Sequence, residues 1–103
     1  MSRSFKNIVG PQVKTLRKEK SWTQRQLADA CKECGYKISR VTIAKIERQL
    51  CGVDEKQLFV LTIVLGKPFD SLLPKNAEKR LRAGEFEKKV EVDVSQLRPL
   101  EEL

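Results

Sequence analysis

Between Ser39 and Gln49 the chain reads SRVTIAKIERQ, three cations (Arg40, Lys45, Arg48) against one acid, Glu47. Fixed positive charge on a short segment is suited to holding a polyanion. Other chemistries lack their parts. The chain contains no histidine, so the usual pairings of a nucleophile with an imidazole base are missing. No phosphate-cradling glycine loop occurs. Cys31 and Cys34 form a C-x-x-C, with Cys51 apart from them. A structural zinc takes four ligands from cysteine and histidine, and three cysteines do not complete that set. A redox dithiol draws its acidity from a helix N-terminus, whereas this pair falls at the expected end of a helix. Cys31 is therefore expected as a small core residue. No metal, cofactor or catalytic residue is expected, and the chain does not read as an enzyme.

The segment 39–49 must be held by something, and hydrophobic periodicity supplies the elements. Residues 8–20 read as a first helix, with Val9, Val13, Leu16 and the stem of Lys20 on one face. Pro11 is tolerated because it falls in the first turn. Thr23 is a good N-cap for a second helix, QRQLADACKEC, whose inward face is Leu27, Ala28 and Cys31. Gly35 offers a stop. After a turn at YKI, Ser39 caps a third helix through about Arg48, and Ile43 and Ile46 point inward. Asp54 with Gln57 is a capping-box pattern that opens a fourth helix through Leu65, stopped by Gly66 and Pro68. DSLL reads as a short fifth helix before Pro74.

These elements define an all-α, five-helix domain over residues 5–74 and a C-terminal tail over 75–103. In the tail, KNAEKRLRAG is expected to prolong a helix to Gly84. EFEKKVEVDV alternates, with Phe86, Val90, Val92 and Val94 on one side, as a possible strand. A lone strand has no partner in its own chain, so the tail is expected either to be flexible or to pair with another chain. The fourth helix, with LFVLTIVL, is apolar all round. If Leu58, Leu61 and Leu65 face the core, then Phe59, Val60, Ile63 and Val64 need a cover, from the tail or a second subunit.

Charge agrees with the first motif. Residues 1–73 hold 14 Lys and Arg against 7 Asp and Glu, while residues 74–103 balance at 7 each. The net +7 thus belongs to the helical part, which fits a polyanion partner. No run of about 18 apolar residues is present to span a membrane. MSRSFKNIVG lacks the long apolar stretch of a signal peptide, and three cysteines do not suggest a disulfide framework. The expected compartment is the cytoplasm.

The second helix, the turn and the third helix form a helix-turn-helix candidate. Within it and around it, LRKEKSWTQRQLADA, ISRVTIAKIERQ and LTIVLGKPFDSLL, in that order, resemble the lambda/Cro-type repressor domain of the Xre family. The resemblance covers residues 8–73. It implies a DNA-binding domain and assigns roles to matching positions. Arg17 and Glu47 match an arginine on the first helix and a glutamate ending the third, which form a structural ion pair in the family. Gln24 matches a glutamine that grips a DNA phosphate, where free N–H groups and the helix dipole already favour an anion. The third helix is the expected recognition helix, with its first turns in the major groove. Ser39, Arg40, Val41 and Thr42 lead, with Lys45 one turn on. Arg40 suits guanine O6 and N7, and Val41 a thymine methyl. Lys45 offers a less directional contact, and Arg48 is placed to meet backbone phosphate.

One departure stands out. Six residues, DACKEC, separate Ala28 from Gly35, more than in the common family pattern. The insertion lengthens the second helix by roughly one turn and enlarges the connection, where Tyr36 and Lys37 sit. The expectation for function is a sequence-specific transcriptional regulator, a repressor acting as a homodimer on a partly palindromic double-stranded DNA operator. The alternative is an antitoxin or phage-type interaction module on the same scaffold, meeting a protein partner through the fourth helix and the tail.

Overall fold

A computed structural model describes residues 5–86. Its elements are α1 (Gly10–Glu19), α2 (Gln24–Glu33), α3 (Arg40–Glu47), α4 (Glu55–Leu65), a 3-10 turn (Phe69–Leu72) and α5 (Ala77–Arg82). Among the described residues the architecture is all-helical, as the periodicity indicates. The start signals work as their chemistry dictates. The Thr23 hydroxyl accepts from the Gln26 N–H while the Gln26 side chain accepts from the Thr23 N–H. Asp54 and Gln57 form the same reciprocal box on α4. Each box satisfies two N–H groups that a helix leaves without intrahelical partners.

The core gathers Val13 and Leu16 of α1, Leu27 and Cys31 of α2, Ile43 and Ile46 of α3, and Val60, Leu61 and Leu65 of α4. Val9, at the N-cap of α1, Ile38, in the turn before α3, and Leu72, in the 3-10 turn, complete it. α2 packs on α3, α1 on α3, α4 on α2, and the 3-10 turn bridges α1 and α4.

Three expectations need correction. DSLL is a single 3-10 turn rather than a fifth α-helix, because only four residues lie between Pro68 and the extended Leu73. The fifth α-helix falls after Pro74, inside KNAEKRLRAG. Lys20 does not close the buried face of α1; it is exposed, with its Nζ 5.1 Å from the centre of the Trp22 ring. On α4, Val60 belongs to the core and Leu58 is only half-buried, so the uncovered surface narrows to Phe59 and Ile63, 65% and 52% exposed. The possible strand lies outside the described residues from position 87 onward.

The start of α1 is fixed by contacts far along the chain. The Asn7 carboxamide oxygen accepts from the N–H groups of Val9 and Gly10. Its amide donates to the carbonyls of Ile46 and Cys51, at 3.0 and 2.8 Å. Gln49 donates from its side chain to the Asn7 carbonyl, and its own carbonyl accepts from the Lys6 N–H. Here α1 approaches the end of α3 so closely that a Cβ at Gly10 would collide with the carbonyl oxygen of Ile46. In an unobstructed helix Gly→Ala gains up to about 1 kcal/mol. At Gly10 the overlap is with backbone, which cannot swing aside. Gly10→Ala is therefore expected to lose about 1–3 kcal/mol of unfolding free energy, read as a lowered urea midpoint.

Candidate nucleic-acid interface

α3 is aimed by its two ends. At its start, Ser39 Oγ accepts from the Thr42 N–H at 3.1 Å and donates to the Thr42 hydroxyl at 2.9 Å. At its finish, Gln49 takes the left-handed conformation with φ 61°. The Gln49 N–H then reaches the Ile46 carbonyl and the Leu50 N–H the Lys45 carbonyl, the paired bonds that close a helix at a left-handed residue.

Glu47 is the point at which α1, α2 and α3 are joined. Arg17 Nε and Nη2 donate to its two carboxylate oxygens at 2.7 and 3.0 Å. The side chains are 9% and 1% exposed, so the pair is dry. The remaining guanidinium nitrogen, Nη1, donates to the Trp22 carbonyl at 2.7 Å, and Gln24 Nε2 donates to Glu47 Oε1 at 3.1 Å. The Glu47 hydrogen bond holds the Arg17 guanidinium above even its high ordinary pKa, against the opposing effect of burial. The Arg17 charge therefore persists across the working pH range. Sequence reasoning placed Arg17 against Glu47 but missed the Trp22 carbonyl and the link from Gln24, which no local pattern signals. It also missed Asn7 and Gln49. The short polar residue three before Gly10 in NIVG is the one available hint, since such a side chain can cap a helix start.

Around the exposed edge of α3 the structure gathers Arg40, Val41 and Lys45, with Arg48 at the C-cap and Thr42 half-buried. Val41 is 56% exposed on this edge. The charged groups of Arg40, Lys45 and Arg48 enter no ion pair among the described residues. With Glu47 buried, the accessible charge of this helix is wholly positive. Gln24 is half-buried at the first position of α2, one amide hydrogen committed to Glu47 and the other unassigned.

The cysteines do not converge on a metal. Cys31 is fully buried, Cys34 exposed and Cys51 half-buried, all as free thiols. No cluster of three potential ligands occurs among the described residues. Desolvation first, and Cys34 second, push the Cys31 thiol up to about 11.

Two helices joined by a short turn, the second carrying an unpaired cationic edge and locked to a preceding helix through a buried ion pair, define a DNA-binding helix-turn-helix. The helix-turn-helix family profile matches residues 13–72, and the chain belongs to that family in its Cro/C1-type form, a class of DNA-binding transcriptional regulators. No protein of curated function matches the chain. Among solved structures it is similar to a hypothetical transcription factor, NHTF, from Neisseria, at 20% identity and a TM-score of 0.59 over 77% of this chain and 84% of that one. It is also similar to the DNA-binding domain of BldD, at 22% identity and a TM-score of 0.57 over 72% of this chain and all of that one. Likeness at this identity reports the shared fold. No helix among the described residues is long and apolar enough to cross a membrane.

Two outcomes follow. Arg17→Met leaves the Glu47 carboxylate buried without its partner and is expected to cost about 3–5 kcal/mol. The double change Arg17→Met with Glu47→Leu should recover much of that loss, as measured by urea unfolding. For Cys31 the folded pKa lies above the value of about 8.5 in an unfolded chain. Its contribution to stability is complete below that pH and is lost as pH rises towards 11. The urea midpoint should fall more steeply between pH 8 and 10.5 in the parent than in Cys31→Ala.

Proposed function

We propose that this regulator reads a specific DNA sequence through α3 and acts as a repressor, as a homodimer on a partly palindromic operator. The observation that carries the reading is the edge formed by Arg40, Val41 and Lys45, exposed and unpaired while Glu47, the acid of the same helix, is taken out of solvent. In this reading Arg40 forks onto guanine O6 and N7, Val41 meets a thymine methyl, and Lys45 extends the contact. Thr42 serves base or phosphate with the hydroxyl hydrogen it retains. Ser39 acts first as the cap of α3, its hydroxyl being committed to Thr42. Arg48 and Gln24 hold backbone phosphates, Gln24 through its second amide hydrogen and the free N–H groups of α2.

Residues 5–74 would be the DNA-binding unit and 75–103 a tail for dimer or partner contact. Likeness to a hypothetical transcription factor of Neisseria and to the DNA-binding domain of BldD supports this direction. Occupation of a promoter by a dimer, with half-sites about one helical turn apart, would block transcription. A second reading, the interaction module, draws on the outward pair Phe59 and Ile63, which would seat another protein instead of a second copy.

Selection of bound sequences from random duplex DNA tests the reading. Paired half-sites at fixed spacing are expected, and Arg40→Ala should lose about 1–3 kcal/mol of discrimination at one base position while leaving the others. Gln24→Ala should weaken all sequences alike. Enrichment of single half-sites would remove the dimer and favour the interaction module. Binding indifferent to both sequence and salt would remove the regulator.

A further inference from the structure

Beside the reading edge lies an open depression of about 310 Å³, lined by Arg25, Asp29 and Lys32 of α2, Lys37 of the enlarged turn, and Ser39 and Arg40 at the start of α3. Ala28 and the buried Ile38 form its floor. Four cations face it against one acid, and none of these five charges enters an ion pair among the described residues. Gathered around one shallow concavity, they leave a local excess of positive charge there.

We infer that this depression is a second DNA-backbone site, holding one phosphate of the strand that flanks the groove read by α3. The inference rests on the reading of α3 as the recognition helix. Two observations connect them. Arg40 and Ser39 belong both to the depression and to the front of α3, so an occupant of the depression lies within one side chain's reach of the base contacts. Lys32 and Lys37 stand on either side of Gly35, Lys32 in the last turn of α2 and Lys37 in the connection before Ser39. The end of α2 and the connection thus carry two ammonium groups to the rim of the depression beside Ser39 and Arg40. Ammonium groups suit this task, because a backbone phosphate asks for charge at a place rather than for a fixed fork.

The test is duplex binding by the full chain against salt. Lys32→Gln with Lys37→Gln, both exposed positions, is compared with Lys14→Gln with Lys18→Gln, which removes equal charge from the exposed face of α1. Loss of one phosphate contact is expected to lower the slope of log K against log salt by about 0.9 and to weaken every sequence about eightfold at 0.1 M salt. The base preferences selected by the parent should be retained, and the α1 pair should change the slope less. Parent-like affinity and slope in the Lys32, Lys37 variant would overturn the inference while leaving the recognition reading intact. If the parent itself selects no sequence, the recognition reading falls and this inference with it. A third arm titrates pyrophosphate without DNA and follows the amide resonances of Lys37 and Ser39. Saturable binding there, with duplex affinity untouched by the two substitutions, would assign the depression to a free anion and overturn the backbone role.

Discussion

Arg17 and Glu47 meet where neither has water to return to, and most of the site depends on that condition. A buried ion pair contributes little net stability when weighed against well-packed apolar side chains. What it contributes here is geometry. The carboxylate accepts from Nε and Nη2 along one edge of the guanidinium and from Gln24, and Nη1 of the guanidinium donates to the Trp22 carbonyl. Four points, on three helices and the connection between α1 and α2, are thereby held to hydrogen-bonding tolerance. An apolar cluster of equal volume would tolerate slippage by a fraction of a turn, and a helix that reads base edges cannot.

A second constraint acts at the same end of α3 from the other side. The N-terminal segment is tied to it by Asn7 and Gln49, and the first turn of α1 rests against the Ile46 carbonyl with no room for a methyl group. α1 therefore contacts α3 through an ion pair and through backbone packed against backbone. Both anchors lie at the C-terminal half of α3. Among the described residues its N-terminal edge makes no tertiary hydrogen bond, only the local Ser39 cap. The arrangement separates the two duties of one helix by length: residues 46 to 49 fix its direction, and residues 40 to 45 present its outward side chains.

How far this was legible depended on the range of the interactions concerned. Caps were legible because their chemistry is complete within four residues, as at Thr23 with Gln26 and Asp54 with Gln57. The inward faces of α2 and α3 were legible because polar residues bracket the apolar ones. α4 offers no such bracket. Its run of apolar residues gives periodicity nothing to choose with, and tertiary packing decided that Val60 turns inward while Phe59 and Ile63 do not. DSLL satisfies the composition of a helix but lacks the length to become one between Pro68 and Pro74. Gln24 shows a different limit. Its position suits a phosphate by local rules, yet one of its hydrogens is spent on a carboxylate 23 positions later. The Arg17–Glu47 pairing was reached through family resemblance; charge alone would have matched Arg17 with several acids equally well.

Glu47 also changes how the electrostatics of the chain should be counted. Net charge treats it as cancelling one cation of its own helix. In the folded protein it cancels Arg17, on another helix, and both vanish from the surface together. The sum is unchanged, but the distribution is not: α3 loses its acid and keeps Arg40, Lys45 and Arg48. The field outside α3 is then more positive than its sequence composition states, and at separations shorter than the Debye length of about 8 Å in physiological salt this local excess is what an approaching phosphate meets. The same ion pair thus fixes the direction of the helix and clears its outer edge of negative charge, so the orientation and the potential of the reading surface derive from one contact.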